Sequence, residues 1–287
     1  MRGILLAGGK GTRLSPMTES INKHLLPIFD KPMIYYPLTS LILAGATDVC
    51  IVSTSDGVFQ FQKLLKTGLQ WGINISYAIQ DSPEGIADGI SKALHTFETK
   101  ESSLVILGDN IFYGTGLGRH ISESIETDKC LIWTQEVNNP HNFGIITFDK
   151  DNNIDSIVEK PKTGNSKFAI TGLYYFPKCI NHKVTQIKKS NRGEYEIVDI
   201  LNLYLKEIKL INNNLSRGVF WLDAGTVEDL NEASNFVKTV QTRQNQLIGS
   251  PDEASWRMGL ISSQQFNNLI THMPNSSYKK ELAKILN

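Results

Sequence analysis

Short apolar runs alternate with amphipathic stretches in the first part of the chain. Uninterrupted apolar runs are typical of strands buried on both faces of a parallel sheet, whereas apolar residues three and four positions apart are typical of helices. The pattern predicts strands at 3–7, 49–53, 73–79 and 104–107 and, between them, helices at 33–44, 59–65 and 86–97. Strands that alternate with helices indicate right-handed crossovers and a mostly parallel α/β sheet flanked by helices.

Strand-like segments then follow one another, divided by polar turns, which is typical of antiparallel pairing. These strands are predicted at 131–137, 144–148, 154–158 and 168–176. Helical spacing returns at 196–205 and 230–240, and the tail 251–287 has only short helical patterns. We therefore predict a main domain, 1–240, and a helical C-terminal extension, 241–287.

The chain has 287 residues, of which 40% are hydrophobic and 20% charged, as in ordinary globular proteins. The 29 basic residues balance 29 acidic ones, which argues against nucleic acid as the main partner but leaves room for a local phosphate pocket. No window approaches the ~18 apolar residues of a membrane span, so no membrane association is expected. The opening apolar run, 4–7, is also shorter than the core of a secretory signal peptide.

The three cysteines, Cys50, Cys130 and Cys179, lie far apart, and none has the Cys-x-x-Cys spacing of a zinc or redox site. Cys50 and Cys130 lie within apolar runs, which predicts buried free thiols. Because such thiols are typical of a reducing compartment, we expect a cytoplasmic protein without structural zinc.

The first predicted strand runs into a glycine-rich segment with two cations, 6–14 (Leu-Ala-Gly-Gly-Lys-Gly-Thr-Arg-Leu). Glycines allow backbone N–H groups to approach an anion closely, and the guanidinium of Arg13 matches phosphate oxygens. A simple tight turn is the alternative interpretation. A Walker A loop is excluded because Ile4 stands where its first glycine should be, and the third glycine of a dinucleotide-binding loop is missing.

Further motifs follow in order along nearly the whole chain. They are Gly8-Gly9-Lys10-Gly11-Thr12-Arg13-Leu14 with Pro16 and Thr18, Lys23, Leu25-Leu26-Pro27, Lys31-Pro32-Met33-Ile34-Tyr35-Tyr36-Pro37, Gly108-Asp109-Asn110, Glu159-Lys160-Pro161, Thr171-Gly172-Leu173-Tyr174, Arg192-Gly193-Glu194 and Trp221-Leu222-Asp223-Ala224-Gly225-Thr226. In this combination the chain resembles the sugar-1-phosphate nucleotidylyltransferases and, within that superfamily, the glucose-1-phosphate thymidylyltransferases.

The resemblance implies a Rossmann-like fold with antiparallel strands in its sugar-binding half. It also implies that dTTP and α-D-glucose 1-phosphate are converted to dTDP-glucose and pyrophosphate, within the biosynthesis of dTDP-sugars such as dTDP-rhamnose for polysaccharides. Two anions must meet in this reaction, which requires cations and accurate positioning. An enzyme that takes UTP or another sugar phosphate, a non-catalytic regulatory homologue and, more distantly, a dehydrogenase remain as alternatives.

Four side chains are implied to carry the chemistry. Arg13 would hold the β- and γ-phosphates, and Lys23 would lie near the α-phosphate. Asp109 and Asp223 each follow an apolar run, and ligand sites of open α/β sheets lie at the carboxyl ends of strands. Because Mg²⁺ is typically held by one or two carboxylates with phosphate oxygens, these aspartates are the expected Mg²⁺ ligands. The alternatives are a solvated lysine and two turn or helix-capping aspartates.

The nucleotide is implied to contact Gly8, Gly11, Thr12, Arg13, Lys23, Gln80, Pro83, Gly85 and Asp109. The Gln80 amide both donates and accepts hydrogen bonds, which suits the imide edge of thymine or uracil. The chain departs from the family just beyond it, where the usual Gly-Leu-Ala-Gln-Ala reads Gly85-Ile86-Ala87-Asp88-Gly89. Asp88 either caps the start of the following helix or alters contacts near the sugars.

The sugar phosphate is implied to contact Gly144, Glu159, Lys160, Ile170 and Arg192. Glu159 can accept hydrogen bonds from sugar hydroxyls, and Lys160 and Arg192 can face the phosphate. On its own, the Glu159-Lys160 pair would be interpreted as a solvated strand end.

The tail carries apolar residues at helical spacing, which must pack against the main domain or a neighbouring subunit. Its segment Glu253-Ala254-Ser255-Trp256-Arg257 resembles the part of the family that helps to form a second nucleotide site near subunit contacts. Arg257 would face a phosphate there, in a homotetramer inhibited by a downstream deoxythymidine-diphosphate sugar. A packing appendage with Arg257 in a surface ion pair is the alternative.

Overall fold

A computed structural model describes residues 1–9, 11–82, 84–97, 101–125, 128–164, 166–178 and 180–286. Its strands are β1 (Arg2–Leu6), β2 (Pro27–Ile28), β3 (Lys31–Pro32), β4 (Asp48–Ser53), β5 (Asn74–Ile79), β6 (Ser103–Leu107), β7 (Asn110–Tyr113), β8 (Cys130–Glu136), β9 (Gly144–Phe148), β10 (Ile154–Glu159), β11 (Phe168–Phe176), β12 (Leu210–Asn214) and β13 (Phe220–Asp223). Its α-helices are α1 (Tyr35–Leu43), α2 (Ser55–Leu65), α3 (Ile86–Thr96), α4 (Leu117–Ser124), α5 (Ile180–Val184), α6 (Ile197–Lys206), α7 (Val227–Gln244), α8 (Pro251–Arg257), α9 (Ser263–His272) and α10 (Ser277–Ile285).

One large sheet organises the molecule, with the strand order β10-β9-β11-β6-β1-β4-β5 and with β8 paired to both β11 and β12. Strands β6, β1, β4 and β5 are parallel, whereas β11 is antiparallel to β6, β8 and β9. The predicted fold class is therefore confirmed: a parallel α/β core is extended by antiparallel strands.

Helices cover both faces of this sheet, which explains why β1 is apolar without alternation from Ile4 to Leu6. Ile4 and Leu5 alternate in direction, yet both are fully buried. Leu5 belongs to the same apolar cluster as Leu38 of α1, and Ile4 belongs to the cluster that contains Ile90 of α3. With no solvated face, the strand needs no polar alternation.

Several element boundaries differ from those predicted, for local reasons. Helix α2 begins at Ser55 rather than at 59, because Thr54 Oγ1 accepts a hydrogen bond from Gly57 N at 3.2 Å and so caps the first turn. Strand β12 is absent from the prediction because its last three residues are asparagines, which are depleted in strands; it pairs in parallel with β8. The ribbon of β7 and β13 is also absent from the prediction, since each strand has only four residues.

Helix α7 runs unbroken through the predicted division between residues 240 and 241. Gln241 is buried within it, and its Oε1 accepts hydrogen bonds from Lys31 Nζ at 2.9 Å and from Ile248 N at 3.0 Å. The main body and the extension are therefore joined by one continuous helix rather than by a flexible linker.

The tail is folded onto the main body of its own chain. Helix α8 packs against α1, and Trp71 Nε1 donates to Asp252 Oδ1 at 3.1 Å. Tyr278 OH donates to the other oxygen of Asp252 at 2.7 Å. Phe266 and Leu282 are fully buried in a small cluster formed by the tail helices. The helical pattern of the tail is thus confirmed, and its apolar residues are covered at least in part within the chain.

The predicted thiols Cys50 and Cys130 are buried and free, whereas Cys179 lies outside the described residues. Burial raises the pKa of the Cys50 thiol to about 11, so it is protonated at neutral pH. Within the described ranges, the helices include none that is both long and apolar enough to span a membrane.

Candidate active site

The glycine-rich loop lies at the carboxyl end of β1. Gly9 and Gly11 have positive φ angles of 95° and 60°, which glycine adopts without strain. A 3₁₀ turn, Thr12–Leu14, follows, and the buried side chain of Leu14 anchors it. Arg13 in this turn is exposed and has no hydrogen bond or ion pair with any residue that the structure describes. Its guanidinium is therefore available to an anion.

Asp109 and Lys23 meet at the carboxyl end of β6. A Cβ atom at Gly108 would lie 2.6 Å from the His24 ring, so the glycine permits this close approach. Lys23 Nζ lies 2.5 Å from Asp109 Oδ2, and Asn110 Nδ2 donates to Asp109 Oδ1 at 2.9 Å. Burial alone would raise the pKa of Asp109, but the positive charge of Lys23 and its hydrogen bond lower it below the ordinary range. The Asp109 carboxylate is therefore ionised at neutral pH.

Asp223 joins this pair through the ribbon of β7 and β13. The register places Asp223 opposite Asn110, and Ala224 N donates to the backbone oxygen of Asp109 at 2.9 Å. Burial and the neighbouring charge of Asp109 raise the pKa of Asp223 to about 7, although nearby cations oppose the shift. Two adjacent carboxylates that repel each other in this way are stabilised by a divalent cation.

Gly225, which follows Asp223 in the same motif, allows the Arg13 guanidinium and the Asp223 carboxylate to lie close together. A Cβ atom at Gly225 would lie 3.0 Å from Arg13 Nη2 and 3.0 Å from Asp223 Oδ1. The loop after β1 and the end of β13 can therefore approach each other only because this position has no side chain.

The donor set fits Mg²⁺. Asp109 and Asp223 provide hard carboxylate oxygens, and Mg²⁺ is typically held by one or two such groups while phosphate oxygens and waters complete an octahedron. The described part of the chain contains no cluster of three or more histidines, cysteines or acidic residues that could hold a metal ion. The site therefore suits a cation bound jointly by protein and phosphate.

The side chains of Asp109, Asp223 and Arg13 line one cavity of about 760 Å³. The predicted site residues that line it are Arg13, Asp109, Gly144, Glu159, Lys160, Ile170 and Asp223. It is also lined by residues for which sequence analysis predicts no role, among them Asn110, Gln135, Asn139, Asn142 and Trp221. The structure thus brings together the predicted metal ligands and most of the predicted sugar-phosphate contacts.

Glu159 is one of the predicted sugar-phosphate contacts that line this cavity. A Cβ atom at Gly144 would lie 3.2 Å from Glu159 Oε2, so β9 leaves space beside this carboxylate. Lys160 Nζ and Arg192 Nη2 lie 3.7 Å and 3.5 Å from Glu159 Oε1. Burial raises the pKa of Glu159, and the two cations oppose this effect. The group can accept hydrogen bonds from hydroxyls that enter the cavity.

Arg192 is not among the residues that line the cavity. Its Nη2 and Nε lie 2.8 Å and 3.1 Å from the two carboxylate oxygens of Glu196. This hydrogen-bonded pair raises the pKa of Arg192 and engages its guanidinium. The predicted contact of Arg192 with a phosphate stays a prediction, and it would require that pair to open or to be shared.

The predicted base contacts gather between the glycine-rich loop and the start of α3. Gln80 follows β5, and its Nε2 donates to Gly85 O at 3.0 Å and to Asp88 Oδ2 at 2.9 Å. A Cβ atom at Gly8 would lie 3.2 Å from Gln80 Oε1, so the amide oxygen lies beside the loop. Asp88 thus contacts a predicted base-reading residue rather than capping α3, whose N-cap is Gly85. Pro83 lies outside the described residues.

Gln135 is the most informative residue that sequence analysis missed. It lies in β8 and lines the cavity, and its Oε1 is buried without a hydrogen-bond partner among the described residues. A buried amide oxygen without a partner is costly, which favours a ligand hydroxyl at this position. No motif surrounds Gln135, so the only sequence signal is a polar residue that ends a run of buried strand positions.

Arg257 lies at a second cavity of about 680 Å³, which shares no lining residue with the first. Arg119, Glu253 and Tyr113 also line it, and Arg257 Nε lies 2.7 Å from Glu253 Oε1. Strand β7 links the two cavities, since Asn110 lines the first and Tyr113 the second. Arg257 therefore forms the surface ion pair that was one of the two alternatives, and it also lines a cavity. Its predicted role at a second nucleotide site stays a prediction.

The α/β sheet, with Arg13 and Asp109 beyond the carboxyl ends of β1 and β6 and Asp223 brought beside them by the β7-β13 ribbon, is the arrangement expected of a nucleotidyltransferase. The chain belongs to the nucleotidyl transferase family, whose family model matches residues 2–240. The resemblance inferred from the motifs is thereby confirmed.

Known relatives extend this similarity over the whole chain. Over 286 residues, the chain is 41% identical to the glucose-1-phosphate thymidylyltransferase of Mycolicibacterium smegmatis, with 100% of this chain and 99% of the relative covered. It is 40% identical over 287 residues to that of Neisseria meningitidis, with the same coverage. A solved Bacillus anthracis structure, provisionally named a glucose-1-phosphate thymidylyltransferase in complex with a sucrose, has a TM-score of 0.75 and 35% identity over 82% of this chain and 94% of its own.

Proposed function

We propose that the protein converts dTTP and α-D-glucose 1-phosphate to dTDP-glucose and pyrophosphate with the help of Mg²⁺. The observation that carries the proposal is one cavity that is lined by the carboxylate pair Asp109 and Asp223, by Arg13 and by Glu159. Full-length relatives named glucose-1-phosphate thymidylyltransferase support the choice of substrates. A cytoplasmic location is part of the proposal, in line with the buried free thiols.

The carboxylate pair and the two neighbouring cations would bind and orient the triphosphate. Arg13, which is free in the described structure, would hold the β- and γ-phosphates and neutralise the leaving pyrophosphate. Lys23 would lie near the α-phosphate when the incoming anion competes with Asp109 for its ammonium group. Asp109 and Asp223 would hold Mg²⁺, which supplies charge neutralisation at the phosphates when it is bound.

The group around Glu159 would position the sugar phosphate for in-line attack. Glu159 would accept hydrogen bonds from hexose hydroxyls, next to the space that Gly144 leaves. Lys160 would face the sugar phosphate, and Ile170 would pack against the hexose. Because no covalent intermediate is needed, correct placement of the two substrates provides most of the rate enhancement.

The test is pyrophosphate release over a grid of nucleoside triphosphates and sugar 1-phosphates. We expect the highest kcat/KM for dTTP with glucose 1-phosphate. A preference for UTP would contradict the nucleotide assignment, and a preference for another hexose 1-phosphate would contradict the sugar assignment. Absence of release for every pair would instead support a non-catalytic homologue.

We further propose that the second cavity is a regulatory nucleotide site in a homotetramer. Arg119 and Arg257 give it two cations, as an anionic dTDP-sugar requires. The short strand β7, which borders both cavities, offers a direct mechanical link to Asp109 through Asn110. The corresponding experiment is described with the predictions below.

A further inference from the structure

The amide of Gln80 has a single favourable orientation. Its Nε2 end faces two groups that can only accept hydrogen bonds, the carbonyl oxygen of Gly85 at 3.0 Å and the carboxylate of Asp88 at 2.9 Å. If the amide were rotated, its oxygen would face two other oxygens, and three acceptors would lie together without a hydrogen. The Nε2 group must therefore remain on this side.

The opposite end of the amide lies beside the glycine-rich loop, which would contact the nucleotide. Gln80 Oε1 lies next to Gly8 of the glycine-rich loop and Gly89 of α3, where Cβ atoms would be 3.2 Å and 3.3 Å away. No residue in the described ranges donates a hydrogen bond to Gln80 Oε1. The group offered to an incoming base is consequently an acceptor.

We propose that Asp88 is a positioning residue that determines base specificity, because its carboxylate holds Gln80 so that only the amide oxygen meets the base. Thymine and uracil carry a hydrogen on N3 and can donate it to Gln80 Oε1. Cytosine has the same ring size, but its N3 accepts hydrogen bonds and would face a second acceptor. The inference rests on the proposed use of dTTP and explains how that choice is enforced.

The chemical type of residue 88 is decisive for this orientation. A carboxylate at this position can only accept, whereas the glutamine that is usual in the family can either donate or accept. Asp88 is also held in place, since its side chain is mostly buried. The Asp88 carboxylate therefore favours the orientation in which Nε2 of Gln80 points towards it.

The experiment compares dUTP with dCTP, which differ only at the base edge. Initial rates of pyrophosphate release give kcat/KM for each nucleotide in the native protein and in Asp88→Asn and Asp88→Gln. Both variants remove one of the two acceptor-only partners of Gln80 Nε2 and introduce an amide that can donate to a rotated Gln80 oxygen, while Gly85 O still favours the native orientation. We therefore expect the dUTP:dCTP ratio to fall several-fold, through the nucleotide KM. The KM for glucose 1-phosphate should stay unchanged. Lys92→Ala, which removes the neighbouring charge but keeps the carboxylate, should retain the native ratio.

The outcomes distinguish this inference from the proposed function. If the native protein uses dTTP but both Asp88 variants keep the native ratio, the role of Asp88 is refuted. An equal loss with both nucleotides would point to a structural role and would also refute it. A native protein that uses neither dTTP nor dUTP would instead overturn the proposed function itself.

Discussion

The two carboxylates of the cavity differ in protonation although they are chemically identical. Asp109 is held ionised by Lys23 Nζ at 2.5 Å, and its charge makes the ionisation of Asp223 unfavourable. Burial and the charge of Asp109 together raise the pKa of Asp223, and a divalent cation held by the two carboxylates would oppose this effect because its charge favours the ionised form. Metal binding and the protonation of Asp223 are therefore coupled.

Replacement of either carboxylate by its amide tests the metal site. We expect Asp109→Asn and Asp223→Asn each to lower kcat by roughly a hundredfold or more, because the charge that develops on the phosphates loses its Mg²⁺. Circular dichroism should show an intact fold. Asp151→Asn, in an exposed turn, is the matched control and should retain native turnover. Near-native activity of either variant would refute the two-aspartate site.

The raised pKa of Asp223 predicts that Mg²⁺ stabilises the protein in a pH-dependent way. In the metal-free fold, Asp223 favours its protonated form, so its contribution to stability is present below the ordinary pKa of aspartate and is lost as pH rises through about 7. Mg²⁺ requires the ionised form, and its effect on the melting temperature should be larger at about pH 8 than at about pH 6. Thermal unfolding with and without Mg²⁺ at both pH values measures this, and equal shifts in native protein would contradict it. Asp223→Asn should abolish the difference.

At the scale of elements, strand β11 joins the antiparallel strands to the parallel core of the sheet. Its first residues pair with β8 and β9 and its last residues with β6, and the register with β8 shifts between Ile170 and Tyr174. Gly172 lies within this shift with a φ of 73°, and a Cβ atom there would lie 2.8 Å from Leu107 and 3.1 Å from Asn110. The bend therefore depends on a residue without a side chain.

Gly172→Ala should reduce both stability and activity. Gly45, which follows α1 with a φ of 87° and has no atom within 4 Å of a built Cβ, provides the control for backbone strain alone. We expect Gly45→Ala to lower the free energy of unfolding by about 1–2 kcal/mol without loss of kcat. Gly172→Ala should cost more, because Leu107 must move, and should also lower kcat through Asn110 beside Asp109. Denaturant unfolding and initial rates measure both effects, and two variants with the same properties would contradict this role of the bend.

At the scale of the molecule, the tail completes a second cavity instead of contributing to the first. Helix α8 supplies Glu253 and Arg257, while α4 supplies Arg119. The buried carboxylate of Asp252 fixes α8 to the main body through Trp71 and to α10 through Tyr278. A ligand in this cavity would thus bridge the tail and the body of the chain.

Arg257→Ala should weaken inhibition by a dTDP-sugar at least about tenfold, because a phosphate would lose its guanidinium partner. Each inhibition constant is compared with the uninhibited rate of the same variant, and mass in solution is measured for both. Lys284→Ala removes an exposed cation of the tail outside the cavity and should leave inhibition unchanged. Inhibition that is purely competitive with dTTP and unaffected by Arg257→Ala would refute the regulatory site. A monomer at working concentration would refute the tetramer.

Local sequence patterns predicted most of the main-sheet strands, several helices and most of the charged groups of the site. Strands β9 and β11 have the predicted bounds, because their apolar runs end at polar turns that act locally. The glycine-rich loop and the motifs around Asp109 and Asp223 indicated the family, since phosphate chemistry restricts the residue types that can serve it. Periodicity and composition are local properties of the chain, so they can be analysed without knowledge of the fold.

Only the tertiary structure decided which of these groups meet. Asp223 reaches Asp109 because β13 pairs with β7, a contact between distant segments that no local pattern contains. Gln80 could present either end of its amide until Gly85 and Asp88 placed two acceptors on one side of it. The physical reason is the same in both cases: the orientation and protonation of a polar side chain depend on charges and hydrogen-bonding groups that other elements bring to it.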